Sequence, residues 1–236
     1  MKTQYNKSIT GSIEVLQEVL SQPKPVGSRE LSRILKEEHT RVSRILGTLF
    51  KEGFLSKTEK KKYYAGPGIH VLAAQAIHNS SLLRIALPEL RKLKDDRHTV
   101  ALAVLWKDSI CYLVHSRPHQ TLEEGIGSHE IYPARKSSLG IMLMAKNFPR
   151  GGKFNYELEN EDKIKEAEAN GYARLDYKGG TVSLAVPICD PPIAAIGSSI
   201  NRPSRKELQD TLKLLRKIKV DIERKILDEE RHRDKC

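Results

Sequence analysis

Between Glu37 and Leu55 the chain reads EEHTRVSRILGTLFKEGFL, and this stretch restricts the possible folds more than any other. Wound as a helix, Val42, Ile45, Leu46, Leu49 and Phe50 recur at i, i+3, i+4, i+7 and i+8 and form one apolar stripe. Arg41, Arg44, Thr48 and Lys51 repeat three, four and three residues apart on the opposite side, with His39, Thr40 and Ser43 in the exposed first turns. Such a helix buries one face and offers the other to an anion. Gly53 predicts a left-handed C-cap, and Phe54-Leu55 leads into a short extended run and a cationic turn over residues 57–62. Helix, glycine stop, strand and basic hairpin read as the second half of a winged helix-turn-helix. On this stretch alone the alternative is an ordinary amphipathic surface helix.

The upstream sequence supplies the first half. Ser8, Thr10 and Ser12 are successive N-cap candidates before Ile13, Val15, Leu16, Val19 and Leu20, a helix of about ten residues or slightly more that Pro23 and Pro25 end. Gly27-Ser28 opens a second helix over Arg29 to Lys36, in which Leu31, Ile34 and Leu35 keep helical spacing and Glu30 suits the positive N-terminal end. The short polar link over residues 36–38 forces a sharp crossing into the third helix. Charge follows the same division. Residues 1–79 hold 13 Lys/Arg against 7 Asp/Glu, residues 80–201 hold 16 against 15, and residues 202–236 hold 12 against 8. The net +11 thus sits at the two ends, which suggests a basic module that meets a polyanion and a nearly neutral one with another task.

Taken in order, Glu30-Leu31-Ser32 with Leu35, Val42 with Arg44-Ile45-Leu46, Thr48-Leu49, Gly53-Phe54, Tyr63 and Gly66-Pro67 resemble the DNA-binding domain of the IclR family of bacterial transcription regulators. The residues carry the same reading on physical grounds. Arg41 and Arg44 can reach base edges or phosphates from the major groove, with His39, Thr40 and Ser43 as shorter donors. Ser28 and Arg29 would touch backbone phosphate, and Lys60, Lys61 and Lys62 would add attraction that falls as salt rises. After Gly66-Pro67-Gly68 the residues Ile69, Val71-Leu72, Gln75-Ala76 and Leu82-Leu83 resume a helical period. The resemblance implies that this linker helix pairs subunits into a homodimer or tetramer on a double-stranded DNA operator.

Downstream, Leu87, Leu90 and Leu93 mark a helix from roughly Pro88 to Lys94. Residues 100–106 and 110–115 form a hairpin about Lys107-Asp108-Ser109. Ser137 or Ser138 caps a short helix through Ala145, and Asn160 and Gly171 bracket another. Strands follow over 172–176, 181–188 and 193–200, and Ser204 with Glu207 forms a capping box ahead of a long C-terminal helix. The expected fold is α+β: a winged helix-turn-helix over 1–67, a linker helix over 68–83, and a domain over 84–236 with a mainly antiparallel sheet flanked by helices, which the resemblance identifies as GAF-like.

Catalytic signatures are missing: there is no G-x-S-x-G elbow, no phosphate-cradling glycine loop and no dinucleotide fingerprint. Cys111 and His115, read as sharing one face of a strand, and His119 make a conceivable metal set that lacks a fourth ligand; a core cysteine with two surface histidines is the plainer reading. Neither metal nor cofactor is expected. The resemblance implies instead that the second domain holds a small organic or aromatic acid as effector. On the family pattern the effector residues are Gly127, Ser128, Asp176, Ser183 and Ser199, with Ser183 standing where the family has a cysteine, Gly197 where it has a serine and Ile141 where it has a lysine. Three cysteines without C-x-x-C spacing, no signal-like N-terminus and no apolar run of membrane length fit a cytoplasmic protein. The expected function is effector-modulated, operator-binding transcription regulation without enzymatic activity. The alternatives are a constitutive DNA binder whose second domain serves assembly only, and a metal-dependent enzyme fused to a DNA-binding domain.

Overall fold

The computed structural model describes residues 6–126, 131–147 and 160–233, and the chain divides into two compact units, one up to Ser80 and one from Ser81. In the first unit, α1 (Lys7–Ser21), α2 (Ser28–Leu35) and α3 (His39–Lys51) precede a two-stranded wing, β1 (Leu55–Lys57) and β2 (Tyr63–Ala65). The cap of α1 lies earlier than the serines suggest. Asn6 Oδ1 accepts from the backbone N–H of Ser8 and Ile9, while the Ser12 hydroxyl bonds back to the Ser8 carbonyl. Lys36 takes a left-handed conformation, φ 54°, and so closes α2 and turns the chain into α3. At the other end of α3, Gly53 at φ +76° allows its own N–H to reach Phe50 O and the Phe54 N–H to reach Leu49 O, a Schellman closure. Val26 bridges the other edge of β2, exchanging backbone hydrogen bonds with Tyr63 at 2.9 and 2.8 Å.

The core of this unit gathers Val15, Val19, Val26, Leu31, Val42, Leu46, Leu55 and Tyr63, with Ile45 and Leu49 packed on its edge. Phe50 departs from the expected apolar stripe and is 46% exposed. At about 100° per residue it lies roughly 80° around the helix from Val42, at the stripe's margin. The Lys57 ammonium lies 5.9 Å from the centre of its ring.

The period expected to run unbroken through Leu83 is two helices, α4 (Pro67–His78) and α5 (Ser81–Leu90), separated at Asn79-Ser80. The expected helix start at Pro88 also gives way, because α5 passes through that proline. The lost backbone donor is outweighed by burial of Leu83, Ile85, Ala86 and Leu90.

The second unit is built on a six-stranded antiparallel sheet in the order β5-β4-β3-β8-β7-β6: β3 (His98–Trp106), β4 (Ser109–Ser116), β5 (Ile131–Pro133), β6 (Ala173–Asp176), β7 (Thr181–Ile188) and β8 (Ala194–Asn201). The three-residue β5 was not legible as a strand. Long α8 (Arg205–Arg233) and α5 cover one face, and α6 (Ser138–Asn147) with α7 (Glu161–Asn170) cover the other. Alternation along the strands sorts side chains by size. Val100, Leu102, Leu184, Val186 and Ile196 meet Leu215, Ile218 and Ile222 of α8, whereas Ala101, Ala103, Ala185 and Ala195 face α6. Small residues on the α6 side leave room there for a cleft.

The capping box holds, with Ser204 N donating to Glu207 Oε2 and Glu207 N to Ser204 Oγ. Gly171 closes α7 at φ 68° as expected. Asn160 does not cap it with its side chain; its Nδ2 donates to Arg135 O at 2.9 Å.

Candidate functional site

Two places in the fold bring polar side chains together over an open surface. The first is the outer face of α3. Thr40, Arg44, Gly47 and Lys51 lie on its exposed side, and among the described residues the Arg44 guanidinium has neither a hydrogen bond nor an ion pair. Ser43 is half-buried beside them. At the start of α3, His39 Nε2 lies 3.1 Å from Ser28 Oγ, which joins the first turns of α2 and α3; Arg29 is exposed next to it. Neither Gly27 nor Glu38 makes a side-chain cap to these helices. Beyond the helix, Lys60, Lys61 and Lys62 are exposed on the wing turn, which Thr58 pins through its backbone and hydroxyl to the backbone of Lys62.

Arg41 does not join this face. Its Nη1 donates to Glu37 Oε2 at 2.6 Å and its Nη2 to Lys7 O at 3.1 Å, so it braces α3 against α1. Helical geometry gives the reason: one residue before Val42, Arg41 sits roughly 100° from the buried stripe, on the flank that meets α1, while Arg44 points nearly opposite the core. The expectation that both arginines lie on the outer face therefore holds for Arg44 alone.

The second place is a cleft of ≈ 340 Å³ on the α6 side of the sheet. Thr99 and Ala101 of β3, Gly197 and Ser199 of β8 and Ser183 of β7 form its floor. Tyr112, His115, Arg117, Tyr132 and Tyr177 surround it. The floor carries a hydroxyl chain: Ser199 Oγ donates to Ser183 Oγ at 2.9 Å, and Ser183 Oγ lies 2.7 Å from the buried Ser138 Oγ. On the wall the Tyr112 hydroxyl lies 3.2 Å from Ser137 Oγ, and the Tyr112 and His115 rings stack at 4.6 Å. Thus Ser137 and Ser138, expected only as caps, both turn their hydroxyls to this side. The Tyr177 phenol donates to Lys136 O; burial, with Tyr112 and Tyr132 close by, pushes it up to about 12. It stays protonated at neutral pH.

Of the expected effector residues, the cleft brings together Ser183 and Ser199. Asp176 is elsewhere. It pairs across the sheet with Val182, one residue out of step with Ser183, so it faces the opposite side, where Arg174 grips it at 2.8 and 3.0 Å. The Arg174 hydrogen bond, working against partial burial, holds its carboxyl below the usual range. Gly127 and Ser128 lie outside the described residues. Ile141 is fully buried in the core beneath α6.

The suggested metal set does not assemble. The register between β3 and β4 shifts at Leu102/Ala103, which inserts Leu113 as an extra residue. Cys111 therefore pairs with Val104 and His115 with Ala101, on opposite faces of the sheet. His119 stands apart in an exposed turn near Asp96. Among the described residues no three His, Cys, Asp or Glu side chains group as metal ligands, and no helix is long and apolar enough to cross a membrane.

The bulge hides from the sequence that Tyr112 and His115 of β4 share the cleft face, while Arg117, Tyr132 and Tyr177, which lie outside β4, carry no local signal for it. The run of small residues Thr99, Ala101 and Ala103 at alternate positions was the one available signal for a cleft on that face.

No family profile and no curated relative matches the sequence. Solved structures do match over nearly the whole chain. An IclR family transcriptional regulator from Brucella abortus is 21% identical, with 93% of this chain and 92% of that one covered at a TM-score of 0.74. An IclR transcriptional regulator from Alicyclobacillus acidocaldarius is 18% identical, covering 94% and 99% at a TM-score of 0.68. An IclR homologue from Microbacterium hydrocarbonoxydans, solved in complex with 4-hydroxybenzoate, is 19% identical, covering 94% and 100% at a TM-score of 0.64. Winged helix-turn-helix, antiparallel sheet and flanking helices together give this chain the fold of the IclR-family transcription regulators.

Proposed function

We propose that this protein is a DNA-binding transcription regulator whose first unit reads a double-stranded operator and whose second unit binds a small organic effector. The observation that carries the reading is Arg44. It stands on the outer face of α3 between Thr40 and Lys51, without a partner among the described residues, in a unit whose wing turn carries three exposed lysines. An arginine so placed suits bidentate contact with a guanine edge, while the wing and the starts of α2 and α3 suit phosphate. The assignment is to binding and not to catalysis, in the cytoplasm.

The effector site in this proposal is the cleft lined by Ser183 and Ser199. Its size suits a small molecule, its hydroxyls can donate to a carboxylate, and the Arg117 guanidinium and His115 ring lie at its rim. A small aliphatic or aromatic acid fits this lining. The bound 4-hydroxybenzoate of the Microbacterium homologue supports that class. Effector binding would bias the protein between states of different operator affinity. Helix α4 supports assembly as a homodimer or tetramer: none of its residues is buried, and Val71, Leu72 and Ile77 leave apolar surface for a second copy to cover.

Selection of duplexes from a random pool by the full chain, followed by mobility shifts with and without a panel of small acids, tests the proposal. Enrichment of one sequence and a ligand-dependent change in its affinity are expected. Failure to enrich any sequence refutes operator reading, and enrichment without response to any acid leaves the constitutive binder as the better reading.

A further inference from the structure

Gly47 stands in the middle of α3, and nothing inside the domain requires glycine there. Its φ lies outside the left-handed region, and a Cβ built on it would meet nothing within 4 Å. A glycine within a helix destabilises it relative to alanine, so Gly47 brings this unit no benefit by itself. A bare backbone position is useful where something else must come close to it.

The neighbours of Gly47 on the helix surface, three and four residues away, are Ser43, Arg44, Phe50 and Lys51. Phe50 is the large apolar residue that the core leaves 46% exposed, with the Lys57 ammonium over its ring. Gly47 and Phe50 thus frame a shallow apolar notch next to Arg44. In the major groove, the base-edge group read by apolar contact is the C5-methyl of thymine.

We propose that Gly47 and Phe50 determine specificity by seating a thymine methyl against the uncovered backbone of α3, beside the base pair that Arg44 reads. The inference rests on the DNA-binding reading and deepens it: Gly47 sets how closely α3 approaches the duplex, and Phe50 supplies the wall of the seat.

The test uses the full chain and a duplex that the wild type enriches from a random pool. Binding is measured at fixed salt for wild type, Gly47→Ala, Phe50→Ala and Arg44→Ala, on the selected duplex and on a copy with deoxyuridine in place of each thymine in turn. Gly47→Ala should melt at or above the wild-type temperature yet bind the selected duplex about tenfold more weakly. One deoxyuridine substitution should weaken the wild type about three- to tenfold and have little effect on Phe50→Ala. If Arg44→Ala loses affinity while Gly47→Ala and the deoxyuridine duplexes bind like the parent pair, the notch is refuted and operator reading stands. Weakened Gly47→Ala binding with no sensitivity to any thymine methyl refutes the thymine assignment. Should the wild type enrich no sequence, this inference falls together with the reading beneath it.

Discussion

Arg41 lies against Gly11: a Cβ on that glycine would come within 2.5 Å of the Arg41 Nη2, so the missing side chain on α1 is the seat of the guanidinium. From this seat Arg41 reaches Lys7 O and Glu37 and ties the first helix to the third.

Arg41 and Arg44 should therefore respond differently to truncation. Arg41→Ala should lower stability by about 1 kcal/mol, a modest figure because its pair with Glu37 is well exposed to solvent. Arg44→Ala should leave the melting temperature nearly unchanged and weaken specific binding by about 1–3 kcal/mol. Thermal melts together with mobility shifts on a selected duplex separate the two. The assignment fails if Arg41→Ala is the variant that changes which sequence is bound.

The wing lysines should act through salt. Replacing Lys60, Lys61 and Lys62 by alanine should weaken binding to all duplexes alike and reduce the slope of log affinity against log salt by about 0.9 for each phosphate that the wing no longer neutralises. Fluorescence anisotropy over a salt series measures this slope, and an unaltered value would remove the wing from the interface.

In the cleft, Ser183 is both a structural and a lining residue. Ser183→Ala strips the buried hydroxyl chain of its middle member and should cost about 1–3 kcal/mol, whereas Ser199→Ala, at the partly buried end, should cost less and act mainly on ligand affinity. An acid that binds the cleft should stabilise the wild type by about 2.7 kcal/mol at a hundredfold excess over its Kd. Asp176→Asn should retain that stabilisation in a thermal-shift assay; its loss would place Asp176 in the site after all.

Glu89 gives the second unit a predictable acid sensitivity. Its carboxylate is 4% exposed and accepts from Lys92 and, at 2.7 Å, from Lys225 of α8. Burial pushes it up, but the hydrogen bonds from Lys225 and Lys92 prevail and hold it below the ordinary 4.5. A carboxyl depressed in the fold contributes its full stability above the unfolded value and loses it as pH falls through the folded one. Between about pH 6 and pH 3 the wild type should thus lose more stability than Glu89→Gln, which should start about 1–3 kcal/mol lower. Parallel pH profiles in chemical denaturation would argue against this linkage.

Elements whose causes are local were legible from residue order. The stripe of Val42, Ile45, Leu46 and Leu49, the Gly53 stop, the Ser204–Glu207 box and the strand over 181–188 each depend on residues a few positions apart, so period, β-rich composition and capping chemistry were enough to read them. Features that depend on distant neighbours were set by packing. The flank of α1 that Gly11 opens turned Arg41 into a brace, and one extra residue in β4 sent Cys111 and His115 to opposite faces and brought Tyr112 and His115 to the cleft. Long-range packing and register assign each side chain to a face, and a one-residue slip reverses that assignment without altering the local pattern from which a strand is recognised.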